Sequence, residues 1–236
     1  MSIAGNIAEL EERIQKACAR AGRKREEITL MGVSKFIPTE KIEEAYRCGV
    51  RCFGESRVKE AAQKFDSFSA DHTDAHLHLI GSLQRNKAKQ AAQIFECIQS
   101  ADRDELITEL DKHTIDRHAP LEILLEAHTG EESKSGFKDL DALFKAAEIA
   151  LNAKMLKISG LMTMAPFTGD ADLIRSSFRQ LVKAQKELEK RFPADGEKSN
   201  WACLSMGMSN DFEIAIEEGS TLLRIGSAIF KEDDIS

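Results

Sequence analysis

Short apolar runs alternate with longer stretches of helical period from about residue 28 to the end of the chain. That rhythm predicts an α/β protein. The runs at 28–35, 50–54, 77–81, 95–100, 121–127, 158–162, 201–205 and 222–226 supply eight strands. Helices with readable ends lie between them. Thr39 can cap a helix whose Ile42, Ala45 and Tyr46 form one face, and Gly49 stands where a closing glycine belongs. Asn210, with Glu213 three residues on, reads as the start of another, with Phe212, Ala215 and Ile216 as its buried stripe and Gly219 as its end. In residues 2–21, Ile3, Ile7, Leu10, Ile14 and Ala17 recur at spacings of three and four and predict an extra helix that closes one end of the fold. The polar stretch 66–75 reads as a loop.

Eight strand–helix units over 236 residues give about 30 residues per unit. That economy suits a (β/α)8 TIM-type barrel better than its competitor, a doubly wound open sheet. With no linker or low-complexity segment, the expectation is one domain over residues 1–236, with the extra helix at 1–21 and the barrel at 28–230.

Composition narrows the function. Lys and Arg number 33 against 40 Asp and Glu, a net charge of −7, which argues against a dedicated nucleic-acid binder. A hydrophobic content of 42% with four prolines supports a large core. No apolar run approaches the ~18 residues of a membrane span, and the start of the chain carries no basic-then-apolar signal, so a soluble cytoplasmic protein is expected. Five scattered cysteines without a CxxC pair fit reduced thiols rather than a disulfide frame. His72, His76 and His78 lack the spacing and companions of a metal set.

In a parallel barrel, chemistry belongs at the C-terminal ends of the strands. Lys35 ends the first strand, where few waters and nearby positive charge would lower its pKa and let the amine attack an aldehyde. Alone, a lysine there is a solvated surface charge. The loops after the last two strands, Ser205 to Ser209 and Gly226–Ser227, combine glycine, hydroxyls and a following helix start, a set that can hold a phosphate. Barrel closure would bring strand one beside strand eight, and so the amine beside the phosphate loops. The ligand implied carries both an aldehyde and a phosphate: pyridoxal phosphate, or a sugar phosphate bound to a Schiff-base lyase.

The segments Gly32-Val33-Ser34-Lys35, Phe53 to Glu60, His78 to Lys87, Gly130 to Phe137, Gly160 to Pro166, Leu204 to Phe212 and Arg224 to Phe230 occur in an order that resembles the pyridoxal-phosphate homeostasis proteins, the YggS/PROSC-like family. The resemblance covers nearly the whole chain. It implies a barrel like the N-terminal domain of alanine racemase, with pyridoxal 5′-phosphate held on Lys35 as an internal aldimine. By the same resemblance Ser205, Met206, Gly226 and Ser227 hold the phosphate, and Arg224 faces the pyridine nitrogen. A permanently charged arginine there would keep that nitrogen unprotonated and weaken the ring as an electron sink. His78 shares a strand face with Ile80 and is a candidate to face the cofactor. Met162 and Met164 are expected as core or pocket lining.

Three positions depart from the family pattern. Ser56 stands in place of the usual asparagine and would reach less far toward the cofactor. Leu77 replaces a tryptophan and would loosen the pocket wall, and Lys231 replaces a glycine. The function implied is intracellular buffering and delivery of pyridoxal phosphate, with apoenzymes as partners and no robust turnover. The alternatives are a pyridoxal-phosphate amino-acid racemase, for which a second base-bearing domain is wanting after residue 230, and the cofactor-free lyase.

Overall fold

A computed structural model describes residues 2–130 and 135–231. Eight parallel strands close into a barrel in chain order: β1 Thr29–Val33, β2 Cys52–Glu55, β3 His76–Leu79, β4 Cys97–Ala101, β5 Leu121–Glu126, β6 Leu156–Met162, β7 Ser199–Ser205 and β8 Leu222–Ile225. The seam is closed by β1 and β8, with Met31 in register with Arg224. The helices are α1 Ile3–Ala21, α2 Thr39–Arg47, α3 Val58–Asp71, α4 Ala88–Ile94, α5 Asp104–Lys112, α6 Leu140–Leu151, α7 Ala171–Arg191, α8 Phe212–Glu217 and α9 Ser227–Phe230. The TIM-type barrel expected from the rhythm is therefore the fold.

Alternation along each strand sorts the side chains into two populations. Outward residues such as Phe53, Leu77, Leu79, Ile98, Ile123 and Leu125 meet the helices in one continuous apolar layer. Phe53, Phe65 and Phe68 anchor it under α3, with ring centroids 5.2–6.0 Å apart. Inward residues form smaller clusters: Met31, Cys52 and Leu222 in one, Cys97, Leu124 and Met162 in another. All five cysteines are free. Burial raises the Cys203 thiol to about 12 and pushes Cys52 and Cys97 up as well, so these thiols stay protonated and unreactive.

Gly160 permits the tightest contact in the barrel wall. It has φ +147°, and a Cβ there would lie 1.9 Å from the Cys203 carbonyl oxygen, so only glycine lets β6 approach β7 at this point. The pairing register shifts beside it.

Several boundary expectations are corrected. Pro38, not Thr39, is the residue before α2, because its fixed φ of −68° already suits a helix entry. The α8 cap falls on Asp211, whose carboxylate accepts from the Met208 N–H at 2.5 Å, and Asn210 lies outside the helix. The stretch read as a loop at 66–75 is helical to Asp71, since Phe65 and Phe68 continue the buried stripe of α3. The N-terminal helix packs against α2, α8 and α9, bracing the β1–β8 seam rather than closing an end. Asn6 in it donates to the Ile229 and Lys231 carbonyls at 2.9 and 3.0 Å. No helix among the described residues is long and apolar enough to cross a membrane.

Candidate functional site

The loops that follow the strands surround one cavity of about 900 Å³ at the C-terminal end of the barrel. Lys35 after β1, Ser56 after β2, Gly81 and Ser82 after β3, Met208 to Asp211 after β7, and Gly226 and Ser227 after β8 all line it. Pro166 and Phe167 form its apolar side, Phe167 being 84% exposed. Gly81 packs so closely on the β2 loop that a Cβ would lie 2.4 Å from the Ser56 carbonyl oxygen, which fixes these two parts of the rim together.

Lys35 lies on the cavity wall with Gly226 and Ser227, as the closure of the barrel required. Its expected dryness is not met: the residue is exposed. The reason is local, since β1 stops at Val33 and Lys35 sits in the turn beyond it, past the sealed Ser34. The next residue, Phe36, has φ +63°, the one non-glycine residue among those described with a left-handed backbone. Such a conformation costs about 1–3 kcal/mol and persists only where its surroundings impose it.

Arg224 is 4% exposed and reaches the cavity from β8. Its Nη1 donates to Ser205 Oγ at 2.7 Å and its Nη2 to the Thr163 carbonyl at 2.7 Å. Ser205 Oγ then donates to Gln99 Oε1 at 2.6 Å, and Gln99 Nε2 lies 2.9 Å from His78 Nδ1. Because Arg224 can only donate, every bond in this row points the same way, and His78 ends it as the acceptor, neutral, with its proton on Nε2. Burial, with a smaller contribution from His76, holds His78 down to about 4. Desolvation brings Arg224 down to about 10, against the opposing fields of Asp211 and Glu126, and it remains charged at neutral pH.

Three of the expected residues lie off the cavity wall. Ser205 is fully buried and its hydroxyl is engaged by Arg224 and Gln99; Met206 is fully buried and its N–H donates to the Leu222 carbonyl. Neither lines the cavity, whose wall at this loop is Met208 to Asp211. His78 also lies off the wall; on its strand face Ile80 is the lining residue. The loop hydroxyls that do converge are Ser209 and Ser227, 3.1 Å apart, with the Ala228 N–H donating to Ser209 at 3.4 Å. The helix after Gly226 has only four residues, so the anion-holding capacity rests on these hydroxyls. Leu77 belongs to the outer apolar layer, so the change from tryptophan leaves the pocket wall untouched. Lys231 is exposed. Of the stretch Gly130 to Phe137, residues 131–134 lie outside the described residues.

Two site residues escape the sequence reading. Glu126, at the end of β5, lines the cavity, accepts from Ser135 Oγ at 2.7 Å, and has its carboxyl pushed up by burial. Gln99 is the joint of the Arg224 row. Each shares the inward parity of its strand, Gln99 with Cys97 and Glu126 with Leu124, and that parity is the signal that could have found it. No group of His, Cys, Asp and Glu among the described residues could hold a metal.

The family model described as the N-terminal domain of alanine racemase matches residues 6–234. A pyridoxal phosphate homeostasis protein of Aquifex aeolicus is 37% identical over 234 residues, covering 98% of this chain and 99% of that protein. The chain belongs to the pyridoxal phosphate homeostasis family. PipY of Synechococcus elongatus, solved with PLP bound, superposes with a TM-score of 0.82 at 31% identity, covering 97% of this chain and 100% of that one. Alanine racemase of Clostridium difficile shares the fold at a TM-score of 0.74 and 12% identity; this homeostasis-family chain spans 58% of that enzyme.

Proposed function

We propose that the chain binds pyridoxal 5′-phosphate at the barrel mouth through a covalent imine to Lys35, and that it buffers and delivers the cofactor in the cytoplasm without robust turnover of its own. The observation that carries this reading is the convergence of an amine, a pair of hydroxyls and a buried guanidinium on one cavity: Lys35, Ser209 with Ser227, and Arg224. These residues fit the group. The cofactor supplies an aldehyde that condenses with a lysine amine with loss of water, a phosphate dianion that accepts hydrogen bonds, and a ring nitrogen that can accept from a guanidinium.

Each residue has a distinct task. Ser209, Ser227 and the adjacent backbone at Gly226 hold the phosphate. Arg224 is kept pointing into the cavity by Ser205 and the Thr163 carbonyl and donates to the ring nitrogen. A nitrogen that receives a hydrogen bond from a cation with no proton to spare stays unprotonated, which restrains carbanion chemistry and favours storage. Ser56 lines the cavity beside Ser82 and limits the ring on that side. Relatives that bear the homeostasis name, and PipY solved with PLP bound, support the cofactor assignment. Enzymes that depend on the cofactor are the proposed recipients.

Absorbance tests the reading. The purified protein mixed with pyridoxal 5′-phosphate should develop a visible imine band that Lys35→Ala abolishes. Incubation of the loaded protein with a panel of amino acids should then give no sustained stereochemical inversion. Racemisation with kcat on the order of 10 s⁻¹ would contradict the storage role.

A further inference from the structure

The turn that carries Lys35 is held by a lysine and a glutamate from a different element. Lys64, on α3, has a side chain only 13% exposed, and its Nζ donates to the Ser34 carbonyl at 2.7 Å and the Ile37 carbonyl at 3.3 Å. These two carbonyls flank Lys35 and Phe36. One turn earlier on α3, Glu60 Oε1 accepts from the Phe36 N–H at 2.7 Å and from Lys64 at 3.0 Å. Behind them Glu55, with no exposed surface, forms an ion pair with Lys64 at 2.6 Å and accepts from Ser34 Oγ at 2.7 Å. Three backbone groups of a four-residue turn are thus tied to α3.

The left-handed backbone of Phe36 says why such a tether is needed. A phenylalanine does not adopt φ +63° by preference, and its ring, 65% exposed with the Arg57 guanidinium over it at 5.1 Å, offers little reason to stay. The N–H of Phe36 and the carbonyls on either side must be held from outside. Burial works against ionised Glu60, but the hydrogen bonds from Lys64 and the Phe36 N–H outweigh it and hold its carboxyl below the ordinary range, so the acceptor of the clamp is anionic at neutral pH. In Glu55 burial wins and pushes the carboxyl up, with Lys64 and Ser34 only partly opposing it.

We infer that Lys64 and Glu60 are positioning residues for Lys35: together they impose the left-handed turn at Phe36 that keeps the Lys35 amine on the cavity wall, so that cofactor capture depends on two residues that never touch the cofactor. This inference rests on the proposed attachment of the cofactor at Lys35. Without the clamp, Phe36 relaxes to an ordinary backbone conformation, and the chain direction at Lys35 turns with it.

A double-mutant cycle in the full chain tests the inference, with pyridoxal 5′-phosphate as the probe and the imine absorbance as the readout. Lys64→Met should weaken retention roughly tenfold. Phe36→Gly, which adopts the left-handed turn without strain, should change it little alone and should restore most of the loss when combined with Lys64→Met. A loss that merely reflects a weakened fold would not be rescued by glycine. Equal losses from Lys64→Met with and without Phe36→Gly, or unchanged retention in a folded Lys64→Met protein, would overturn the inference. If Lys64→Met does not fold, Glu60→Gln should give a smaller loss in the same direction, and unchanged retention there overturns it equally. Amide hydrogen exchange at Phe36, measured without cofactor, separates the two layers of the reading. Exchange should accelerate in Lys64→Met or Glu60→Gln whatever the protein binds, and if it does not, the clamp is wrong. A wild-type protein that forms no imine at Lys35 contradicts the functional reading instead.

Discussion

Arg224 and Ser205 stand on the neighbouring strands β8 and β7 inside the barrel, the guanidinium donating to the serine hydroxyl at 2.7 Å. Ser205 is therefore a support for the buried guanidinium on the cavity wall. It gives a buried cation one acceptor, and the Thr163 carbonyl gives it another. It also passes a hydrogen bond to Gln99. A barrel interior this polar is stable because every bond in the row has a donor and an acceptor in the right order.

Ser205→Ala should leave Arg224 and Gln99 each a partner short in a site where water has little access. The expected cost is about 1–3 kcal/mol. For a chain of this size that lowers the thermal midpoint by about 2–4 °C per kcal/mol, and calorimetry measures it. An unchanged midpoint would mean that the row adds no stability.

Ser227→Ala should loosen pyridoxal 5′-phosphate while still allowing reaction at Lys35, because a phosphate donor goes and the amine stays. The hydroxyl is worth about 1.5–3 kcal/mol as a hydrogen bond to a charged group. Equilibrium dialysis would show a lower retained fraction; full retention would remove Ser227 from the phosphate site.

The pH dependence of stability follows from His78. Its ring titrates at about 4 in the fold against 6.5 for the free side chain, so between those values the unfolded chain binds a proton that the folded protein refuses. Stability should fall as pH is lowered from about 6.5 toward 4, with no contribution from this group above that window. Denaturant titrations at about pH 7.5 and about pH 5.0 should show a smaller pH effect in His78→Asn, which retains an acceptor for Gln99. The same slope in both proteins would place the titration elsewhere.

Gly160→Ala should be among the most damaging single changes outside the site. The new Cβ meets the Cys203 carbonyl oxygen at 1.9 Å, a backbone atom that cannot yield without disturbing the β6–β7 pairing, and the φ of +147° adds strain. A loss of about 3 kcal/mol or more is expected, read by denaturant unfolding. A loss under about 1 kcal/mol would show that the strands can separate locally.

The barrel is legible in the sequence because eight apolar runs and intervening helical periods are local patterns, and their count sets the closure. Lys35 and the loops after β7 and β8 are legible for the same reason, since strand ends are read directly from the chain. What stays hidden depends on packing between distant segments. The inward placement of Gln99 and Glu126 emerges only when the face of each strand is known, and the contact of Lys64 with the Lys35 turn only when α3 is laid against the end of β1. The exposure of Lys35 is hidden because the apolar run 28–35 reads as continuous, whereas β1 ends at Val33. Ser205 reads as the junction of strand and loop and Met206 as a loop residue, yet the strand pairing engages both.

Borohydride reduction of the protein loaded with pyridoxal 5′-phosphate, followed by peptide mapping, tests the central claim most directly. A single reduced pyridoxyl adduct on the peptide that contains Lys35 is expected, absent from Lys35→Ala. An adduct confined to other lysines, or none at all, would contradict it.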